Sequence, residues 1–164
     1  MSTVAGDGAT VTVSVRVPPA EAFDIFTREI DLWWRQGPRF RIAGRRRGQL
    51  SFESGAGGRL FETVDFDDGQ RVFVAGTILV WEPPERLAFE WRGVNFKKGE
   101  STRVDVSFRA AGASTLVTVR HSGFSTLPEG HPARHGLEGA AFSRMIGLWW
   151  GELMTGLREH VMQR

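Results

Sequence analysis

Four histidines, His121, His131, His135 and His160, are the residues of this chain best suited to proton transfer or metal binding near neutral pH. His131 and His135 stand four apart, one helical turn. Pro132 and a helix start fall between them, however, and no HExxH-type glutamate accompanies them. They read as polar residues at the beginning of a helix, so no metal set is expected. His160 falls near the end of that helix and reads as a partly exposed cap beside its C-terminal dipole. His121 differs from these. It closes a strand on the same face as Val117 and Val119, just before a loop. If that face looks inward, His121 stands at a cavity mouth, as a ligand contact or a general base. The simpler alternative is a core-edge histidine bonded to backbone.

The carboxylates and arginines supply the other candidate chemistry. Glu53 and Glu62 flank the hairpin "SGAGGRLF", with Arg59 between them. A cross-strand salt bridge there is worth about 0.2–1 kcal/mol. In the alternative, Glu53 or Arg59 points into a cavity and fixes the polar end of a ligand. Glu90 and Arg92 share a strand face opposite Leu87, Phe89 and Trp91, and the aromatic face is the expected inner one. The loop "RQGPRFRIAGRRRGQ" carries Arg35, Arg39, Arg41, Arg45, Arg46 and Arg47. It reads as a solvated loop, or as the contact for an anionic ligand or an acidic protein partner. "GAGG" joins two strands and lacks the Lys-Ser/Thr of a phosphate loop, so it is a turn.

Composition removes several classes of function. There are no cysteines, which excludes disulfides, thiolate metal sites and a cysteine nucleophile, and there is no tyrosine to act as an acid or base. Neither a nucleophile–base pair nor a cofactor motif is present, so no cofactor is expected. The isoelectric point of 9.9 belongs to a net charge of only +2. Almost nothing titrates between pH 7 and 10 here, so a small positive excess carries the value far up. With no stacking platform beside the arginines, a nucleic-acid partner is not expected. No apolar run is long enough to span a membrane, and the first ten residues resemble no secretory signal, so the expected location is cytoplasmic.

The elements that must position these residues follow from periodicity. Residues 1–9 are rich in Gly and Ala and are expected to be loose, with one domain over 10–164. "TVTVSVRV" alternates strictly and is a half-buried strand. "PPAEAFDIFT" opens a helix at its prolines, and "REIDLWW" makes a short second one. Six strands follow, joined by Gly, Pro and Asp turns, which predicts an antiparallel meander. A helix of about seven turns is expected from roughly Ala133 to Val161. On it, Phe142, Ile146, Trp149, Trp150, Leu153 and Leu157 fall within one arc of roughly 100°. Both adjacent indoles can then face a single concave surface. Trp33, Trp34, Trp81 and Trp91 add further large rings, more than close packing of a small sheet on one helix accommodates unless a pocket remains.

In order and spacing, "PPAEAFDIFT", "DLWW", "FESGAGGRLFE", "ILVWEPPERLAFEWR", "VRHSGF" and "GLWWGELMTGLREHV" resemble the START-like superfamily, also called SRPBCC or birch-pollen-allergen-like. Within it they look like the branch of the heat-shock-protein ATPase activator homologues. The resemblance runs from about Val11 to Val161. It implies an α+β helix-grip fold: a curved antiparallel sheet, in the order strand, two helices, six strands, helix, wrapped around the long C-terminal helix with an internal cavity. With the residue patterns above, it leaves three functional expectations. One is binding of a lipid-like or polycyclic molecule against Trp33, Trp34, Trp81, Trp91, Phe142, Ile146, Trp149, Trp150 and Leu153, with Glu53 and His121 as polar markers. A second is a cyclase/aromatase- or hydrolase-like enzyme using His121 as base. The third is a co-chaperone-like interaction module using the arginine loop 35–47.

Overall fold

Val11, Val13 and Val15 alternate with Thr and Ser, and β1 (Ala9–Val15) forms from them. In the computed structural model, which describes residues 5–93 and 95–164, this strand is one edge of a seven-stranded antiparallel sheet. Helices α1 (Pro19–Arg28) and α2 (Ile30–Trp33) come next. The meander then runs through β2 (Gly48–Phe52), β3 (Arg59–Phe66), β4 (Gly69–Glu82), β5 (Arg86–Trp91), β6 (Thr102–Ala111) and β7 (Ser114–Ser122). Two single-turn 3₁₀ segments, Phe124–Thr126 and Pro132–Arg134, lead into α3 (Gly139–Met162). The sheet order is β1-β7-β6-β5-β4-β3-β2, so only β1 departs from chain order, pairing beside β7. This is the expected helix-grip fold.

The curl of the sheet has a local cause in β4, which is 14 residues long and serves two partners. Its first part, Gly69–Thr77, pairs with β3, and its second, Ile78–Glu82, pairs with β5. Register shifts lie on either side of the changeover, at Leu60/Phe61 and at Ile78/Val80, and such irregularities bend a strand. At the bend, a Cβ on Gly76 would stand 1.6 Å from the carbonyl oxygen of Glu90. Backbone meets backbone there, which only glycine permits.

Helices α1 and α3 pack against the concave side. Phe23 and Phe26 of α1 meet Phe108 of β6, with ring centroids 5.2 and 5.7 Å apart. Helix α3 buries Phe142, Ile146, Trp150, Leu153, Met154, Leu157 and Val161 and lies closest to β1. At Gly156 it approaches the Trp33 carbonyl so closely that a Cβ would lie 2.9 Å away, which seats α2 against it.

Two boundaries differ from the sequence reading. Helix α3 starts at Gly139 rather than Ala133, because His135, Gly136 and Gly139 all adopt positive φ and end the 3₁₀ turn before a helix can grow. The segment expected to be loose, residues 1–9, falls in part on 1–4, which lie outside the described residues. Beyond them, the Gly6 N–H donates to Ser143 Oγ at 3.0 Å. The Asp7 carboxylate accepts from the Gly123 and Ser125 N–H groups at 3.1 Å. Burial pushes the Asp7 carboxyl up, but the bonds from Ser125 and Gly123 outweigh this and hold it below the usual range.

The close approach at Gly76 predicts that Gly76→Ala destabilises the fold by about 3 kcal/mol or more, read as a lowered urea midpoint. Gly151, on a helical face where a Cβ meets nothing within 4 Å, supplies the contrast. Gly151→Ala is expected to raise stability by about 0.5–1 kcal/mol.

Candidate functional site

With α3 closest to β1, the concave face over β2 to β5 is left open, and a cleft of about 630 Å³ lies there. The sheet contributes Leu50, Glu62, Ala75 and Trp91, and the end of β7 contributes His121. Residues 38–42 form one wall and Trp91, Arg92, Gly93, Asn95 and Phe96 another, with Met145, Ile146 and Trp149 of α3, Phe124, Ala133 and His135 completing it. Ala75 is small and its neighbour Gly76 has no side chain, so the bend that curls the sheet also leaves room at the floor.

His121 is 1% exposed and both of its ring nitrogens are engaged. The Trp150 indole Nε1 lies 3.0 Å from Nδ1, and Thr102 Oγ1 lies 2.7 Å from Nε2. An indole N–H only donates, so Nδ1 must be the acceptor and the neutral ring carries its proton on Nε2. That proton goes to Thr102 Oγ1, whose own hydroxyl donates to the Trp91 carbonyl at 3.1 Å. The four groups form one directed relay from α3 through β7 and β6 to β5. Burial drives the His121 pKa from 6.5 down to about 3, against a small opposing effect of the Asp7 charge. A general base needs a free lone pair and an affinity for protons. His121 has its lone pair occupied by Trp150 and its basicity depressed, so the geometry argues against the base role and for a structural one.

The arginine-rich loop is fixed to the body of the protein. Trp149 Nε1 donates to the Arg39 carbonyl at 2.8 Å, and Trp34 Nε1 donates to the next carbonyl, Phe40, at 2.9 Å. The Trp149 ring also stacks on Phe40 with centroids 5.6 Å apart. Arg41 is buried. It bonds the Asp31 carboxylate and the backbone carbonyls of Asp31, Trp34 and Arg35. Arg35 reaches the Glu152 carbonyl and Arg39 pairs with the Glu152 carboxylate. Of the six arginines expected as a contact surface, Arg41 is buried and Arg35 and Arg39 are tied to Glu152, with Arg39 itself exposed. Arg45, Arg46 and Arg47 remain exposed. Glu62 closes the loop from below, accepting from the Ile42 and Ala43 N–H groups at 2.8 and 3.0 Å.

Of the residues singled out from sequence, Trp91, His121, Ile146 and Trp149 meet on the cleft wall. Phe142, Trp150 and Leu153 are sealed in the core. Trp150 points inward as expected, whereas Trp149 is half-buried, ties to the loop and packs against Trp91 at the end of β5. Trp33 and Trp34 are buried, and Trp34 packs edge-on against both Trp149 and Trp150. Trp81 meets Phe23 and Phe52 away from the cleft. Glu53 sits on the outer hairpin, paired with Arg59 at 2.9 Å, and does not reach the cavity. Glu62 does not join that pair, because alternation puts it on the inner face with Leu60 and Val64. Arg92, expected on the solvent face, lies on the cleft wall, since β5 ends at Trp91 and alternation stops there. His131 caps its 3₁₀ turn through the Ala133 N–H and bonds Glu100, and His160 bonds Glu29.

The relay predicts a pH signature. Unfolded, the His121 imidazole takes up a proton near 6.5; folded, only near 3. Between these values the unfolded chain binds more protons, so stability is full above pH 6.5 and falls as pH drops through that window. His121→Leu removes this contribution. It is expected to cost about 2–4 kcal/mol at neutral pH and to flatten the slope between pH 6.5 and 4, measured by urea unfolding at a series of pH values.

The fold has known counterparts. A protein from Mesorhizobium loti, MLL2253, superimposes with a TM-score of 0.60 at 18% identity, over 94% of this chain and 97% of that one. DynU16, a protein of the dynemicin biosynthetic locus, gives 0.61 at 24% identity over 95% of this chain and 47% of its own. PFC0360w, an HSP90 activator from Plasmodium falciparum, gives 0.58 at 16% identity over 93% and 94%. No curated protein matches the chain. The profile described as "Activator of Hsp90 ATPase homolog 1-like protein" matches residues 16–160, nearly the whole length, and the chain belongs to that family.

Proposed function

We propose that this protein binds an apolar or aromatic small molecule in the cleft between the curled sheet, the loop 38–42 and the first half of α3. The observation that carries this reading is the cleft itself. Its volume of about 630 Å³ falls within the range of small-molecule sites, and its walls are mainly aromatic and aliphatic with a few polar groups. Phe40, Trp91, Phe96, Phe124 and Trp149 offer ring faces and edges, while His121 is spent on holding the wall in place. The cyclase- or hydrolase-like alternative loses its base by the same geometry.

Family membership favours a second reading, a co-chaperone-like contact with a protein partner. Its surface would be the exposed Arg45, Arg46 and Arg47. Such a contact weakens steeply as ionic strength rises, whereas occupation of an apolar cleft does not.

Native mass spectrometry of the purified protein, followed by denaturing extraction, is expected to show a recurring bound small molecule. A clean apo mass together with no thermal shift across a panel of aromatic compounds would overturn the binding reading. Among variants, Trp149→Ala is expected to weaken binding of the neutral aromatic probe 2-naphthamide about tenfold or more, read by titration calorimetry. Its stability cost should be smaller than that of Trp150→Ala, a core deletion worth about 3–5 kcal/mol.

A further inference from the structure

Among the described residues, Arg92 is the one arginine on the cleft wall without an anionic partner. Arg41 is bonded to Asp31, and Arg39 is paired with Glu152. No ion pair among the described residues includes Arg92. Its Nη2 donates to the Lys97 carbonyl at 3.1 Å, while its Nε is buried and finds no acceptor among the described residues. The carboxylate on the wall, Glu62, is occupied by two backbone N–H groups. A guanidinium without an anionic partner on the wall of a mainly apolar cleft is placed to take an anion there, through N–H groups other than the buried Nε.

We propose that the ligand of this cleft is an aromatic acid, with its ring system against Trp91, Phe96 and Trp149 and its ionised carboxylate on Arg92. The inference rests on the ligand-binding reading above and names the chemical class. A planar carboxylate matches the guanidinium fork, and a charge-assisted bond in an apolar cleft discriminates strongly against a neutral isostere. Trp91 and Arg92 are consecutive, so the last residue of β5 supplies the ring contact and the next supplies the charge. The backbone at this junction is held, since the Arg92 N–H donates to the Ala75 carbonyl at 2.6 Å.

The test compares 2-naphthoate with its neutral isostere 2-naphthamide, by titration calorimetry at neutral pH, on wild type, Arg92→Gln and Arg92→Lys. Wild type is expected to prefer the naphthoate by about tenfold or more. In Arg92→Gln the preference for the naphthoate over the amide should disappear, and Arg92→Lys should retain part of it. Equal affinities in wild type, or a preference that survives in Arg92→Gln, would overturn the acid assignment and leave the cleft as a binding site. Loss of both probes in a folded Arg92→Gln, judged by circular dichroism, would also overturn it, by showing that Arg92 acts through packing. Failure of both probes to bind wild type would overturn the binding reading along with it.

Discussion

An indole N–H can donate a hydrogen bond and never accept one, and much of this structure depends on that asymmetry. Because Trp150 donates to Nδ1, the His121 ring has a single neutral tautomer available to it. The direction of every bond downstream is then set, through Thr102 to the Trp91 carbonyl. The relay joins the long helix to three strands at the edge of the cleft. Trp149 and Trp34 use the same property on two consecutive carbonyls of the loop, Arg39 and Phe40. With Trp33, whose Nε1 donates to the Phe26 carbonyl at 3.2 Å, four of the chain's six tryptophans serve as directional ties as well as bulk.

A second constraint acts on the opposite side. The bend of β4 requires main chain to pass main chain at Gly76 and Glu90, so the floor of the cleft is built from backbone and the small Ala75. The walls are built from side chains anchored elsewhere: Phe40 by Trp149, Arg41 by Asp31, residues 42 and 43 by Glu62. Floor and walls therefore have separate origins. The curl belongs to the fold, while the character of the cleft belongs to a few residues on β5, α3 and the loop.

Strand and helix periodicity made the architecture legible, because each strand of the meander alternates and the turns between them are short. The inward face of α3 was legible for Phe142, Ile146, Trp150 and Leu153. The role of Trp149 was not, since its partner is a loop 110 residues away whose path no local pattern encodes. Glu62 could have been found: it stands between Leu60 and Val64 at a spacing of two, which marks an inner-face carboxylate. Arg92 was misplaced by extending the period of β5 one residue past its end. Asp7 was hidden in a Gly-rich segment, where composition suggests looseness although one carboxylate collects the N–H groups of a turn 116 and 118 residues on. The Arg41–Asp31 hub depends equally on tertiary proximity, so six loop arginines looked alike when only some were free.

The crowding of indoles has an optical side. Trp34, Trp91, Trp149 and Trp150 lie with ring centroids 5.3–5.9 Å apart, several of them nearly perpendicular, and the chain contains no tyrosine to overlay their absorption. Chromophores this close and held at fixed angles share their excited states. Two of them, Trp91 and Trp149, stand on the cleft wall, so the emission of this cluster senses whatever changes there.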